Sequence, residues 1–279
     1  NHLPAIVCVT IALDRAIAAW WHDTTSRRDF FVAGLFGTFA VACELPALAF
    51  LGLLGLAMLA RSVRRTLTAF VPAAAIVAAG FFWTTYQAHG RLTIPYAERG
   101  DGTTGENWYD YTYERNGKVY ESYWRNRVGI DRGEPSRLMY AVHVLIGHHG
   151  IFSLTPVWIL AFIGMGVWIA GADDRRLRVL AASIALLTVV CLAFYLMRGQ
   201  DDRNYGGMSC AFRWMLWFTP FWLTTMIPTL DRMAHSRLWR GTALVLLALS
   251  ALSAAYPTWN PWTHPWLLEY MTWLGWVRY

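Results

Sequence analysis

Four groups of side chains in this 279-residue sequence could bind or turn over a polar ligand. The first is Glu44 with Arg213, each set in an apolar run. A lone charge at membrane depth costs at least about 2.5–3.5 kcal/mol, so such groups pair with one another or face a wet cavity. Two readings follow: an ion pair that holds two helices in register, or an Arg213 that grips a phosphate or a bound carboxylate. The second group is Asp201, Asp202 and Arg203, in a loop that also holds Arg198, Asn204, Gly206 and Gly207. Paired aspartates can hold a divalent cation against phosphates, and the same composition also makes a solvated turn. The third is His143, His148 and His149 in HVLIGHHGIFSLTP. Histidine serves as general base or metal ligand, but no Glu or Cys stands at ligand spacing, so a structural or interfacial role is expected and no metal is assigned. The fourth is the aromatic run ENWYDYTYERNGKVYESYW, with Trp108, Tyr109, Tyr111 and Tyr113 before its turn and Tyr120, Tyr123 and Trp124 after it. Its rings can stack on sugar faces or act as cross-strand contacts.

These groups must be carried by membrane helices. The chain is 56% hydrophobic and only 15% charged, against about 25% charged in soluble domains, and several of its apolar runs have bilayer length. The net charge of +6 sits largely in short arginine clusters between those runs, the pattern of cytoplasmic loops and not of a nucleic-acid surface. Crossings are expected over residues 3–21, 66–86, 155–172, 177–197, 208–229 and 241–256. The run 30–60 is too long for one helix, and Pro46 divides it into two meeting at Glu44. Placing Arg61, Arg64 and Arg65 inside puts Arg175, Arg176 and Arg178, then Arg232, Arg237 and Arg240, on the same side. Two crossings within 30–60 add Arg27 and Arg28, which gives about seven to eight spans. Glu44 and Arg213 then share the depth of the outer leaflet, and a contact between them is expected. Asp14 and Arg15 are neighbours about 100° apart on a helix, which argues against a simple facing pair.

The expected fold is an all-α polytopic transmembrane helix bundle with a small outward-facing loop domain. Residues 1–86 are N-terminal transmembrane helices, 87–153 the extracytoplasmic loop domain, 154–256 the C-terminal transmembrane helices, and 257–279 an interfacial tail with five tryptophans. Alternating aromatics flank Asn116-Gly117, which predicts a β-hairpin near 107–124. Glu134, Pro135 and Ser136 open an amphipathic helix suited to a membrane interface. Cys8, Cys43, Cys191 and Cys210 show no CxxC spacing and read as small core residues. The sequence opens at Asn1 directly on an apolar run with no basic segment before it, as expected of a fragment or processed chain.

Three stretches together resemble a family. ACELPALAFLGLLGL with its arginine-rich loop looks like the acidic-aliphatic-proline break of bacterial GT-C-like integral membrane glycosyltransferases, and IGHHGIFSLTPVWIL is similar to their segment entering a span. NYGGMSCAFRWMLWFTPFWL resembles their GG-S-x-G-x-R-x-x-x-P-x-x-P signature, with Ala211 where glycine is usual. In pattern the chain is nearest to planctomycete-type membrane proteins, and it matches the C-terminal part of the family. The resemblance implies a multi-pass protein of the bacterial inner membrane that transfers sugar from a polyprenyl-phosphate donor at the outer face. Glu44, Arg213, Asp201, Asp202, Arg203, His148 and Trp108 would then contact substrate. The family's catalytic acid lies in a first outward loop that has no counterpart here, so the resemblance names no catalytic residue. A transporter or envelope scaffold using the same charged cleft is the alternative.

Overall fold

Alanine- and leucine-rich apolar runs make the long helices, and length decides which of them can cross a bilayer. The computed structural model describes residues 1–22, 26–94 and 111–279. Among these, four helices are long and apolar enough to span: α1 (His2–Trp21), α4 (Val63–His89), α7 (Arg175–Leu196) and α9 (Arg237–Thr258). A span needs about 20 residues at ~1.5 Å per residue. The other apolar runs give shorter helices: α2 (Arg27–Cys43), α3 (Leu48–Arg61), α6 (Trp158–Gly171) and α8 (Thr219–Met233). Their outward faces are apolar, with Leu56, Ile163 and Leu223 exposed, a surface compatible with lipid contact.

The proline break falls where the residue pattern predicts. α2 stops at Cys43, Glu44 is extended, and one 3-10 turn containing Pro46 leads into α3. α1 packs against α2, α3 and a 3-10 segment, Arg213–Phe218, while α6 packs against α7 and α8. The α6–α8 contact is close to backbone on backbone. A Cβ on Gly164 would lie 1.8 Å from the Thr225 carbonyl oxygen, and Thr229 Oγ1 donates to the Leu160 carbonyl at 2.8 Å. Aromatic edges such as Phe50 on Phe221, 5.1 Å between ring centres, close the middle.

The arginine clusters gather at one end of the bundle. Arg61 Nε donates to the Ala19 carbonyl at 2.8 Å, Arg176 Nη1 to that of Trp20 at 3.2 Å, and Arg27 Nη2 to that of Thr68 at 2.9 Å. Two of these capture the orphan carbonyls at the C-terminus of α1, where the helix dipole favours cations. Arg15 bonds both Asp14 and, at 3.1 Å, Asp29 of α2. The long guanidinium arm therefore overcomes the 100° offset that argued against an Asp14–Arg15 pair.

At the opposite end, β1 (Thr112–Arg115) and β2 (Lys118–Glu121) form an antiparallel hairpin with Arg115 opposite Lys118. Asn116 and Gly117 take φ of 54° and 70°, as a type I′ turn requires. Tyr113 stacks on its cross-strand partner Tyr120 at 5.4 Å, and both strands are exposed throughout. Residues 107–110 of the expected hairpin lie outside the described residues. α5 (Arg137–Leu145) starts at Ser136, whose Oγ accepts from Met139 N at 3.3 Å. It buries Tyr140, His143 and Val144 and exposes Leu138, Met139 and Val142, the two faces of an amphipathic helix. In the tail, α10 (Trp266–Trp273) follows a polar turn, and Trp259, Trp262, Trp273 and Trp276 are exposed.

Candidate functional site

Two loops are clamped together to make the site. Glu134 N donates to the Arg203 carbonyl at 3.0 Å, and the buried Arg203 returns a bond from Nη2 to the Pro135 carbonyl at 2.9 Å. Only glycine fits beside that joint. Gly133 has φ of 82°, and a Cβ there would lie 1.8 Å from the Gln200 carbonyl oxygen. The chain then turns through three consecutive left-handed residues, Tyr205, Gly206 and Gly207, at φ of 58°, 97° and 74°. Asn204 supports the turn, its Oδ1 accepting from Gly206 N at 3.3 Å and its carbonyl from Gly207 N at 2.8 Å. A bulky side chain in this region costs on the order of 1–2 kcal/mol. Full burial of the Tyr205 ring offsets that cost, with His149 stacked on it at 4.8 Å and Tyr140 at 5.0 Å.

Around Tyr205 the histidines form a hydrogen-bonded row. His148 Nδ1 lies 2.6 Å from His149 Nδ1, and His148 Nε2 lies 2.7 Å from the Tyr279 hydroxyl. The Tyr279 and Tyr205 hydroxyls are each 3.4 Å from Glu134 Oε2. The Tyr279 hydroxyl bridges His148 Nε2 and the Glu134 carboxylate, to which Tyr205 also donates. One proton is shared across the facing Nδ1 atoms of His148 and His149. His149 Nε2 has no aligned partner among the described residues. Burial favours the neutral imidazoles. It pushes His148 down to about 3, helped by His143 and His264, and holds His149 well below its ordinary range. His143 and His264 are lowered by burial too, opposed by Glu134 and by Asp131 respectively.

The glycine turn brings a cation and a carboxylate to one place. Arg213 lies over Gly206, where a Cβ would come 3.0 Å from its Cγ and 3.2 Å from its Nε. From Gly207 a Cβ would lie 3.8 Å from Asp131 Oδ1 and 3.9 Å from Arg213 Nη2, so the two groups flank a single residue. Asp131 is buried. Its Oδ2 accepts from the Tyr123 hydroxyl at 2.9 Å, whereas Oδ1 has no partner among the described residues. The same holds for Tyr140 Oη, His143 Nδ1 and His264 Nδ1. Buried polar atoms are nearly always bonded, and several orphans in one cluster mark a place shaped for something polar.

The expected site residues separate accordingly. His148, Arg203 and Arg213 come together around Tyr205. Glu44 does not meet Arg213: His2 Nδ1 lies 2.5 Å from its Oε1, close but not aligned as a hydrogen bond. The depth argument fails because Arg213 is not inside a helix. It opens the 3-10 segment ahead of α8 and folds back on the glycine turn. Asp201 and Asp202 are held by Arg127 at 3.3 Å and Arg198 at 2.9 Å. No three His, Cys, Asp or Glu side chains among the described residues are placed to hold a metal ion. Trp108 lies outside the described residues. Reading by residue type missed Asp131, Glu134, Tyr205, His264 and Tyr279. Tyr205 was visible in the quoted NYGG stretch, while the others are joined only by the fold. Compared with known proteins, the chain matches no family model, no curated protein and no solved structure.

Proposed function

We propose that the chain is a membrane-embedded GT-C-like glycosyltransferase, or part of one, that takes sugar from a polyprenyl-phosphate donor at the outer face of the bacterial inner membrane. Seven to eight crossings, counting the shorter apolar helices, would place the hairpin and the glycine turn outside. The observation that carries the reading is that Arg213 and the buried, half-satisfied Asp131 both approach Gly207. In this reading Arg213 holds the donor phosphate, which leaves with the electron pair of its bond to the sugar. Asp131 takes the proton from the acceptor hydroxyl as the new glycosidic bond forms. His148, held by Tyr279, and His149 are neutral and form an uncharged wall beside the site.

The test is transfer from a polyprenyl-phosphate sugar by the full chain in lipid nanodiscs. Asp131→Asn is expected to lower transfer about 10²-fold or more, and Arg213→Gln to weaken donor binding as well. Transfer unaffected by Asp131→Asn sinks this assignment. The alternative, a transporter or envelope scaffold, draws on one observation: Glu134, Asp201 and Asp202 are already engaged, leaving Asp131 as the single half-satisfied carboxylate of the described site. Donor binding without transfer would favour it.

A further inference from the structure

The arginine end of the bundle carries a second feature that the polar site does not use. A cavity of about 590 Å³ runs between α1, α3 and α7. Phe50, Leu187 and Phe221 close its inner end, and Trp20, Trp21 and Arg175 form its mouth. Its walls are aliphatic and aromatic apart from Ser183 and the two arginines, Arg175 and Arg176. Along α7 it extends from Arg175 to Leu187, about 18 Å at ~1.5 Å per residue. One leaflet of a ~30 Å hydrocarbon core is about 15 Å thick. The groove therefore has the length of one leaflet, an apolar body and a cationic, tryptophan-rimmed mouth.

Each part of that mouth is placed for a headgroup. Arg176 is oriented by Asp174, Nη2 to Oδ2 at 2.9 Å, and by the Trp20 carbonyl, with its guanidinium 5.0 Å from the centre of the Trp21 ring. Arg175 is exposed beside it. We propose that this groove is a binding site for one anionic phospholipid, its acyl chain between α1, α3 and α7 and its phosphate against Arg175 and Arg176. Tryptophan rings and arginines at one level are what a headgroup region selects. The inference needs only the membrane setting and is independent of glycosyl transfer.

The experiment measures lipid retained by the full chain in detergent after exposure to mixed phosphatidylglycerol and phosphatidylcholine vesicles, by native mass spectrometry. Phosphatidylglycerol is expected to be retained preferentially, by roughly fivefold for each arginine that reaches the headgroup. Arg175→Gln removes one such factor. Ala57→Trp and Ser183→Trp, which fill the groove from opposite walls, abolish retention of both lipids, so one variant suffices if the other does not fold. Equal retention of the two lipids by the unaltered chain, or retention unchanged in a folded groove-filling variant, overturns the proposal. Retention of polyprenyl phosphate alone also overturns it and assigns the groove to an isoprenoid.

Discussion

The two ends of the bundle handle charge in opposite ways. At the arginine end, guanidinium groups sit near the surface and bond backbone carbonyls, so Arg61 and Arg176 cap the end of α1 and Arg27 bonds the Thr68 carbonyl. At the other end, histidine, tyrosine and aspartate side chains are buried among themselves, and Asp131 Oδ1, His143 Nδ1 and Tyr140 Oη lack partners among the described residues. Satisfied exposed charges tolerate change, because water replaces what is lost. Buried groups held by an over-determined pair of loops do not. The difference separates an end whose charges are satisfied near the surface from one whose polar groups are buried together.

The sharpest way to break the contrast is Gly133→Val. Its side chain would meet the Gln200 carbonyl and could not hold φ of 82°, so a loss of about 3 kcal/mol or more is expected. Thermal unfolding in detergent reads it, and an unchanged midpoint would mean that the two loops are not clamped.

Acid is the next probe. His148 and His149 have folded-state pKa values below the ordinary 6.5, so below pH 6.5 the unfolded chain binds more protons than the folded one. Stability is thus full above about pH 6.5 and falls as pH drops toward the folded values, by up to about 1.4 kcal/mol per pH unit for each histidine. The double change His148→Gln, His149→Gln should flatten the pH profile of the unfolding midpoint between pH 6.5 and 4.

Smaller effects belong to the other end and to the hairpin. Arg61→Gln removes the bonds to Ala19 and His22, costing about 1 kcal/mol at a helix terminus. A loss equal to that of Gly133→Val would erase the distinction drawn above. Gly117→Val should unpair β1 and β2 through the turn yet leave the global midpoint within about 0.5 kcal/mol, because both strands are exposed. Loss of hairpin amide protection with an intact bundle is the expected exchange pattern.

What was legible in the sequence followed from local rules. Asn116-Gly117 demands left-handed backbone, Pro46 cannot continue α2, Ser136 caps α5, and the arginine loops sort to one end. Arg213 was legible as an unusual charge but not in depth, since periodicity cannot distinguish the 3-10 segment Arg213–Phe218 from the first turns of α8. Asp131 sits in an unremarkable GIDRGE stretch, and only its approach to Gly207 gives it meaning. His264 and Tyr279 lie in a tail that reads as an interfacial anchor, and no spacing joins them to His148.

Sequence separation has a kinetic consequence here. Tyr279 and His148 are 131 positions apart, and Tyr279 and Glu134 145, so the row can close only after α6 to α10 have been made. Loop closure over such distances is slow compared with helix formation, and the order of assembly is bundle first, polar site last. Until then His148 lacks its Tyr279 contact. Pulsed modification of histidine during refolding into bicelles should label His148 long after the helical signal is complete, and simultaneous protection would reverse that order.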